Sequence, residues 1–129
     1  RSSSDLLFSL IKELEDKNFS DACVLIFETI ADILNITSKW HLSSSFDVEH
    51  LKAEQKIITI CSELGANMYI NPIGGLNLPF YTQELFNPIH LRFINRKDIL
   101  PATSIIDLLF RFETENIKNN LNKYELIEK

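Results

Sequence analysis

The run IITICSELGANMYINPIGG, residues 57–75, holds the end of one element, all of a second and the turn that follows. Apolar residues recur in it at helical spacing as far as Leu64, and Gly65 stands where a helix-ending residue in the left-handed conformation is expected. The β-forming residues 67–70 come next, and Pro72 biases its predecessor away from helix. The run therefore predicts a helix, a strand and a glycine turn, in that order.

The same two periodicities extend outward on both sides of this run. Helical spacing is found over residues 4–17, 19–35, 47–64, 104–112 and 114–123, and extended segments over 38–42, 67–70 and 89–94. Because helical segments alternate with extended ones, the sequence predicts an α/β fold, helix-rich, with a small parallel β-sheet of βαβ units flanked by helices. A tail, residues 124–129, closes the chain.

Length and composition fit one folded domain. The chain has 129 residues, of which 45% are hydrophobic and 24% charged. These fractions are close to the averages of globular proteins, and they exclude disordered and collagen-like chains. We therefore expect a single α/β domain over residues 1–129.

Charge and apolar run length limit the partners. The formal net charge is −5, with 13 Lys and Arg against 18 Asp and Glu, which disfavours binding to nucleic acid. The longest apolar stretch, Ala22–Phe27, is far shorter than the roughly 20 residues of a membrane-spanning helix. The expected partner is therefore a small-molecule substrate, with no nucleic acid and no membrane span.

The first residues and the two cysteines indicate the setting. Residues 1–4 carry neither an initiator Met nor a signal pattern, so we interpret them as a junction or a proteolytic end. Cys23 and Cys61 each fall on the apolar face of a predicted helix, which indicates buried free thiols. A reducing, cytoplasmic setting follows.

A glycine pair follows the second predicted strand. Asn71 ends this strand, and Gly74 and Gly75 come three and four residues later. Glycine permits positive φ and close approach of backbone amides to a bound group, and ligands of open parallel sheets bind beyond the carboxyl ends of the strands. Two interpretations stay open at this point, a ligand-binding loop and a plain strand-to-helix turn.

Polar residues also follow the other two predicted strands. Ser43 and Ser44 come after the first, and Asn95 and Arg96 after the third. Because the carboxyl ends of parallel strands share one edge, we expect these side chains to line a common substrate site with the glycine loop. Hydroxyls, an amide and a cation suit a substrate that carries hydroxyl and anionic groups. Solvated loops are the alternative interpretation.

Asp107 stands in the apolar run SIIDLLF, residues 104–110. Its spacing from Ser104 fits a capping box, which favours a role in starting the helix, and the alternative is a catalytic carboxylate. His41, His50 and His90 lack the spacing of metal ligands, so no metal site is predicted, and the sequence identifies no cofactor.

Three ordered blocks resemble the C-terminal half of the WbqC-like protein family. They are residues 57–75 with the motif YINPIGG, residues 89–93, and residues 104–110 with the motif SIIDLLF. The closing residues 124–127 fit the same family, so the resemblance covers most of the chain. The resemblance implies that the family's N-terminal half is missing here, so we expect this chain to form part of a larger domain, with the missing half as a partner.

The resemblance implies a bacterial cytosolic protein of surface polysaccharide (O-antigen) biosynthesis. It implies a transferase that adds glycine, another aminoacyl group or a glycosyl group to a sugar, which is nucleotide-linked or lipid-linked. The family's glycine loop corresponds to Asn71, Gly74 and Gly75, and its helix start corresponds to Ser104 and Asp107. If the chain is such a transferase, we expect Ser104 to bind the substrate and Asp107 to act as the catalytic base. The alternative is a non-catalytic small-molecule-binding or scaffolding module of the same pathway.

Overall fold

The structure is a computed structural model that describes residues 3–129; residues 1 and 2, within the segment interpreted as a junction, lie outside the described residues. Its helices are α1 (Ser3–Leu14), α2 (Phe19–Ile33), α3 (Ala53–Glu63), α4 (Gln83–Phe86), α5 (Ile105–Arg111) and α6 (Thr114–Leu121). Its strands are β1 (Met68–Pro72), β2 (His90–Arg96) and β3 (Tyr124–Ile127). These elements confirm a helix-rich α/β fold. No helix within residues 3–129 has the length and apolar character needed to cross a membrane.

The chain folds into two compact units, and the first comprises the residues up to Lys39 together with Asp98–Lys123. Its helices enclose an apolar core because each carries its apolar residues on one side. The buried members of this core are Leu7, Leu10, Ile30, Leu34, Leu108, Leu109 and Ile117. Helix α2 begins after Asn18, whose side chain accepts a hydrogen bond from the backbone N–H of Asp21 at 3.0 Å. This cap satisfies a backbone donor that the first helical turn leaves unpaired.

A buried asparagine anchors the segment that leads into α5. Asn120, on α6, is 2% exposed. Its Oδ1 accepts hydrogen bonds from the backbone N–H groups of Ile99 (2.7 Å) and Leu100 (2.9 Å). Its Nδ2 donates to Oδ1 of Asp98 at 2.9 Å. Because a buried amide is stable only when it is hydrogen-bonded, these contacts fix the position of residues 98–100 against α6.

The second unit comprises Trp40–Lys97 and Tyr124–Lys129, and it is built on the β-sheet. The strand order is β1-β2-β3. Strand β1 pairs with β2 in parallel, with Asn71 opposite Phe93, and β3 pairs with β2 in antiparallel orientation. The parallel pair confirms the predicted βαβ relation between the second and third extended segments, and it brings the carboxyl ends of β1 and β2 to one edge.

One face of this sheet is covered by a small apolar core. Leu91 and Phe93, two positions apart on β2, both lie on this face and are buried together with Phe86 of α4. The partly buried residues packed against them are Ile57, Ile58, Tyr69, Leu76 and Tyr81. Because strand residues alternate between the two faces, Tyr69 and Asn71 of β1 share this covered side.

The sheet differs from the prediction in one strand and in its direction. Residues 38–42, predicted as the first strand, form no strand, and every one of them is exposed. A strand is stabilised by packing and pairing, and an exposed segment without them stays irregular. Residues 124–127 of the predicted tail form β3 instead, antiparallel to β2. The prediction of a wholly parallel sheet was therefore wrong, because the sheet contains one parallel and one antiparallel pair.

Replacing Asn120 tests its role as an anchor. We expect Asn120→Ala to unfold with a free energy about 2 kcal/mol lower than Asn119→Ala, because it leaves two partly buried backbone N–H groups without an acceptor. Asn119 is exposed on the same helix, so the control carries the same change in helix propensity. Urea unfolding followed by circular dichroism measures the difference. Equal stability of the two variants would show that the anchor contributes nothing.

Candidate functional site

An amide, two phenols and a glycine turn meet at the carboxyl end of β1. The hydroxyl of Tyr69 donates a hydrogen bond to Oδ1 of Asn71 at 3.3 Å. A 3₁₀ turn, Ile73–Asn77, follows the strand directly. We call this group the β1-end site, and it consists of Tyr69, Asn71, Gly74, Gly75 and Tyr81. The site lies at the carboxyl edge of the sheet, where the sequence predicts the glycine loop.

Aromatic rings form one wall of the β1-end site. The ring of Tyr69 stacks on that of Phe86, with centroids 5.5 Å apart, and lies 6.4 Å from that of Tyr81. Phe80 lies 5.3 Å from Tyr81, centroid to centroid. Burial raises the pKa of Tyr69 to about 12, with a further contribution from the neighbouring phenol of Tyr81. Tyr69 is therefore a neutral hydrogen-bond donor at physiological pH.

The two glycines of the turn differ in what surrounds them. A Cβ added to Gly75, which is buried, would overlap Nδ2 of Asn71 and lie 3.4 Å from Cε1 of Phe93. A Cβ added to Gly74 would meet nothing within 4 Å. Only Gly75 therefore requires glycine for space, since its backbone passes directly under the Asn71 side chain. The left-handed glycine is Gly65, with φ of 64°, at the end of α3 as predicted.

The end of β2 supplies polar residues at the same edge as the end of β1. Asn95 donates from Nδ2 to Oε1 of Glu125 at 2.8 Å, and Nζ of Lys97 lies 2.8 Å from the same oxygen. These two donors, Lys97 first, lower the pKa of Glu125. Arg96 is exposed at the end of the strand. Asn95 and Arg96 therefore lie at the expected edge, but as the last residues of β2, paired with β3, and not after the strand. Their assignment as substrate-binding residues stays a prediction.

The serines lie outside the geometry that was expected for them. Ser43–Ser45 form an exposed 3₁₀ turn, and Oγ of Ser45 donates to the backbone carbonyl of Leu42 at 2.7 Å. Because residues 38–42 form no strand, the prediction that Ser43 and Ser44 follow a strand of the sheet was wrong. Their assignment as substrate-binding residues stays a prediction, without a shared strand edge to support it.

Ser104 and Asp107 belong to the first unit, whereas the β1-end site belongs to the second. The hydroxyl of Ser104 accepts from the backbone N–H of Ile106 at 3.3 Å and caps α5. Asp107 accepts from Thr103 (2.8 Å) and from Arg111 (3.0 Å), and these bonds, Thr103 first, lower its pKa. A carboxylate held in its ionised form is a weak base. The catalytic role of Asp107 stays a prediction.

The thiols and the imidazoles are the remaining side chains that could act as nucleophiles, bases or metal ligands. Cys23 and Cys61 are both free, and burial raises the pKa of Cys61, which keeps its thiol protonated at neutral pH. His50 lies 3.7 Å from the carboxylate of Asp47 on an exposed turn. Within residues 3–129, no group of three or more His, Cys, Asp and Glu side chains is placed to hold a metal ion.

Sequence reasoning missed the two phenols of the β1-end site. Tyr69 had a usable signal, because a residue two positions before Asn71 on a strand shares its face. Tyr81 had none, since it enters the site from a loop whose path depends on the packing of Phe86. The alternation of residues along β1 could therefore have identified Tyr69 as a site residue, but it could not have identified Tyr81.

The two glycines are expected to respond differently to alanine. Gly75→Ala forces Asn71 to move and breaks its bond with Tyr69, so we expect a loss of about 1–2 kcal/mol in the free energy of unfolding. Gly74→Ala, the matched control, is expected to be neutral or to stabilise by up to about 0.5 kcal/mol, because it only restricts the unfolded chain. Urea unfolding of both variants measures this. Equal changes in the free energy of unfolding of the two variants would show that the Gly75 backbone does not lie close to the Asn71 side chain.

The raised pKa of Tyr69 predicts a pH dependence. The folded-state value is about 12 and the unfolded value is 10.0, so the folded state holds this proton more tightly between them. The contribution of Tyr69 to stability is therefore full below about pH 10 and is lost as the pH rises toward about 12. Ultraviolet difference spectroscopy should detect one late-ionising phenol in the wild type and in Tyr124→Phe, but not in Tyr69→Phe. A late phase that persists in Tyr69→Phe would assign it elsewhere.

Comparison with known proteins identifies a family. The pattern of the WbqC-like protein family matches residues 2–119. The match covers most of the chain, including α1 and α2, and not only the three blocks from Ile57 onward. No match was found among curated proteins or among solved structures. Because the family match covers far more than half of the chain, the protein belongs to the WbqC-like protein family.

Proposed function

We propose that this chain supplies the sugar-binding part of a transferase in bacterial surface polysaccharide (O-antigen) biosynthesis. The transferase adds an aminoacyl group such as glycine, or a glycosyl group, to a nucleotide-linked or lipid-linked sugar. The observation that carries the proposal is the hydrogen-bonded pair Tyr69–Asn71 beside the rings of Tyr81 and Phe80. The resemblance to the WbqC-like family supports the pathway.

The chemistry of the β1-end site suits a sugar. The Asn71 amide and the phenols of Tyr69 and Tyr81 are uncharged groups that donate to and accept from hydroxyls. Aromatic faces pack against the apolar face of a sugar ring, as they do against other apolar surfaces. The site also lies at the carboxyl end of a parallel strand, the edge at which ligands of open sheets bind.

A non-catalytic binding or scaffolding module of the same pathway is the second candidate. The observation that favours it is the state of Asp107, whose carboxylate already accepts from Thr103 and Arg111 at the start of α5. Under this candidate, Ser104 and Asp107 only stabilise the helix, and the β1-end site binds a sugar that another protein modifies. Both candidates are set in the cytoplasm, a placement that the two free thiols support.

Titration of the chain with a sugar nucleotide tests the binding that both candidates share. We expect UDP-N-acetylglucosamine and free N-acetylglucosamine to shift the backbone amide signals of Asn71 and Gly75 in heteronuclear NMR spectra. Asn71→Ala should weaken binding about tenfold, the equivalent of one hydrogen bond to a hydroxyl. Asn77→Ala, which changes an exposed asparagine of the same turn, is the matched control and should bind as the wild type does.

A variant of Asp107 separates the two candidates. Asp107→Asn that binds the sugar normally but loses transfer in a polysaccharide assay supports the transferase. Asp107→Asn that retains both binding and polysaccharide supports the binding module. If neither probe shifts the β1-end signals, or if Asn71→Ala binds as tightly as Asn77→Ala, the proposed sugar site is refuted.

A further inference from the structure

A polar groove, distinct from the β1-end site, lies at the amino end of β2, on the side of that strand that faces β3. Strand β3 pairs only with Phe93–Arg96, so the first residues of β2 extend beyond it. The groove left there has a volume of about 310 Å³. Its lining residues are Gln83, His90, Leu91, Arg92, Glu128 and Lys129.

The side chain of Gln83 takes the place of the strand that is missing at this edge. Its Nε2 donates to the carbonyl of Ile89 and its Oε1 accepts from the N–H of Leu91, both at 2.8 Å. These bonds satisfy backbone groups that a neighbouring strand would otherwise pair. One wall of the groove is therefore built by fixed contacts.

Arg92 supplies the main charge of the groove. Its side chain is 21% exposed, and its NH1 group donates to the carbonyl of Leu91 at 2.9 Å. Its NH2 group pairs with Oε1 of Glu128 at 2.7 Å, and the Glu128 side chain is 72% exposed. A guanidinium has five N–H donors, and these two bonds use two of them. A half-buried cation is thus held in place and partnered by one exposed carboxylate.

The side chains that line the groove include two cations, Arg92 and Lys129, and one carboxylate, Glu128. Nζ of Lys129 donates to the backbone carbonyl of Leu78 at 2.7 Å, a neutral acceptor. The lining side chains therefore carry a net positive charge in a chain whose net charge is −5.

We propose that this groove binds a phosphate group and that the Glu128 carboxylate occupies the place of that phosphate until it arrives. The carboxylate of the Arg92–Glu128 pair is largely exposed to water, which weakens its hold on the guanidinium, so a stronger anion can displace it. A phosphate carries close to two negative charges and matches the planar fork of a guanidinium with two parallel hydrogen bonds. Lys129 and His90 also line the groove, and their side chains carry further donors. The β1-end site lies at the other end of the β1-β2 pair, so this inference does not depend on the proposed function.

Titration of the full chain with inorganic phosphate, followed by heteronuclear NMR, tests the inference. We expect the backbone signals of His90–Arg92 to shift, and Glu128→Gln to bind phosphate about tenfold more tightly because the competing carboxylate is gone. Arg92→Gln should lose the binding. Lys12→Gln removes an exposed positive charge from α1 and should leave the affinity unchanged.

Two results would overturn the inference. One is an unchanged affinity in Glu128→Gln, whose exposed side chain can be replaced without loss of the fold, so this variant decides the matter even if Arg92→Gln unfolds. The other is an equal set of shifts with chloride at matched ionic strength, which would show general screening and not phosphate binding. Asn71→Ala should bind phosphate normally, and this separates the groove from the β1-end site.

Discussion

The parallel pairing of β1 with β2 is the constraint on which the account of the second unit depends. It sets Asn71 opposite Phe93, and it carries the turn after β1 to the edge where β2 also ends. Beside the buried Phe93, the backbone of Gly75 passes beneath Asn71, whose amide accepts from the phenol of Tyr69 on the same strand. An antiparallel pair would carry the end of β2 to the opposite edge, away from this turn.

Polar side chains hold the irregular parts of both units in place. Asn120 binds the backbone at residues 98–100 in the first unit, and Gln83 binds the backbone that flanks the start of β2 in the second. In each case one amide side chain satisfies two backbone groups that no strand or helix pairs. The contacts also differ in kind from those of the β1-end site, where the amide of Asn71 meets a phenol and not the backbone.

Local patterns predicted the elements that depend on local chemistry. The helical spacing up to Leu64, the left-handed Gly65 and the extended residue before Pro72 all appear in the structure, because caps and turns are decided by neighbouring residues. The choice between residues 38–42 and 124–127 as the third strand was not local. Both segments are short, and only pairing with β2 selects one of them.

The site residues could likewise be predicted only where they depend on local sequence. Asn71 and Gly75 follow from the strand and its turn, whereas Tyr81 arrives from a loop, and the pair Arg92–Glu128 joins residues distant in sequence. For Asp107, the sequence allowed two roles, a helix cap with Ser104 and a catalytic carboxylate. The sequence could not predict the bonds to Thr103 and Arg111 that hold this carboxylate in the structure.

The pairing of β1 with β2 can be measured directly by nuclear Overhauser effects between their backbone protons. A parallel pair predicts contacts between the Hα and amide protons of the two strands in the register that sets Tyr69 opposite Leu91 and Asn71 opposite Phe93. Strong Hα–Hα contacts between β1 and β2, the mark of an antiparallel pair, would contradict the account. They would separate the glycine turn from the end of β2.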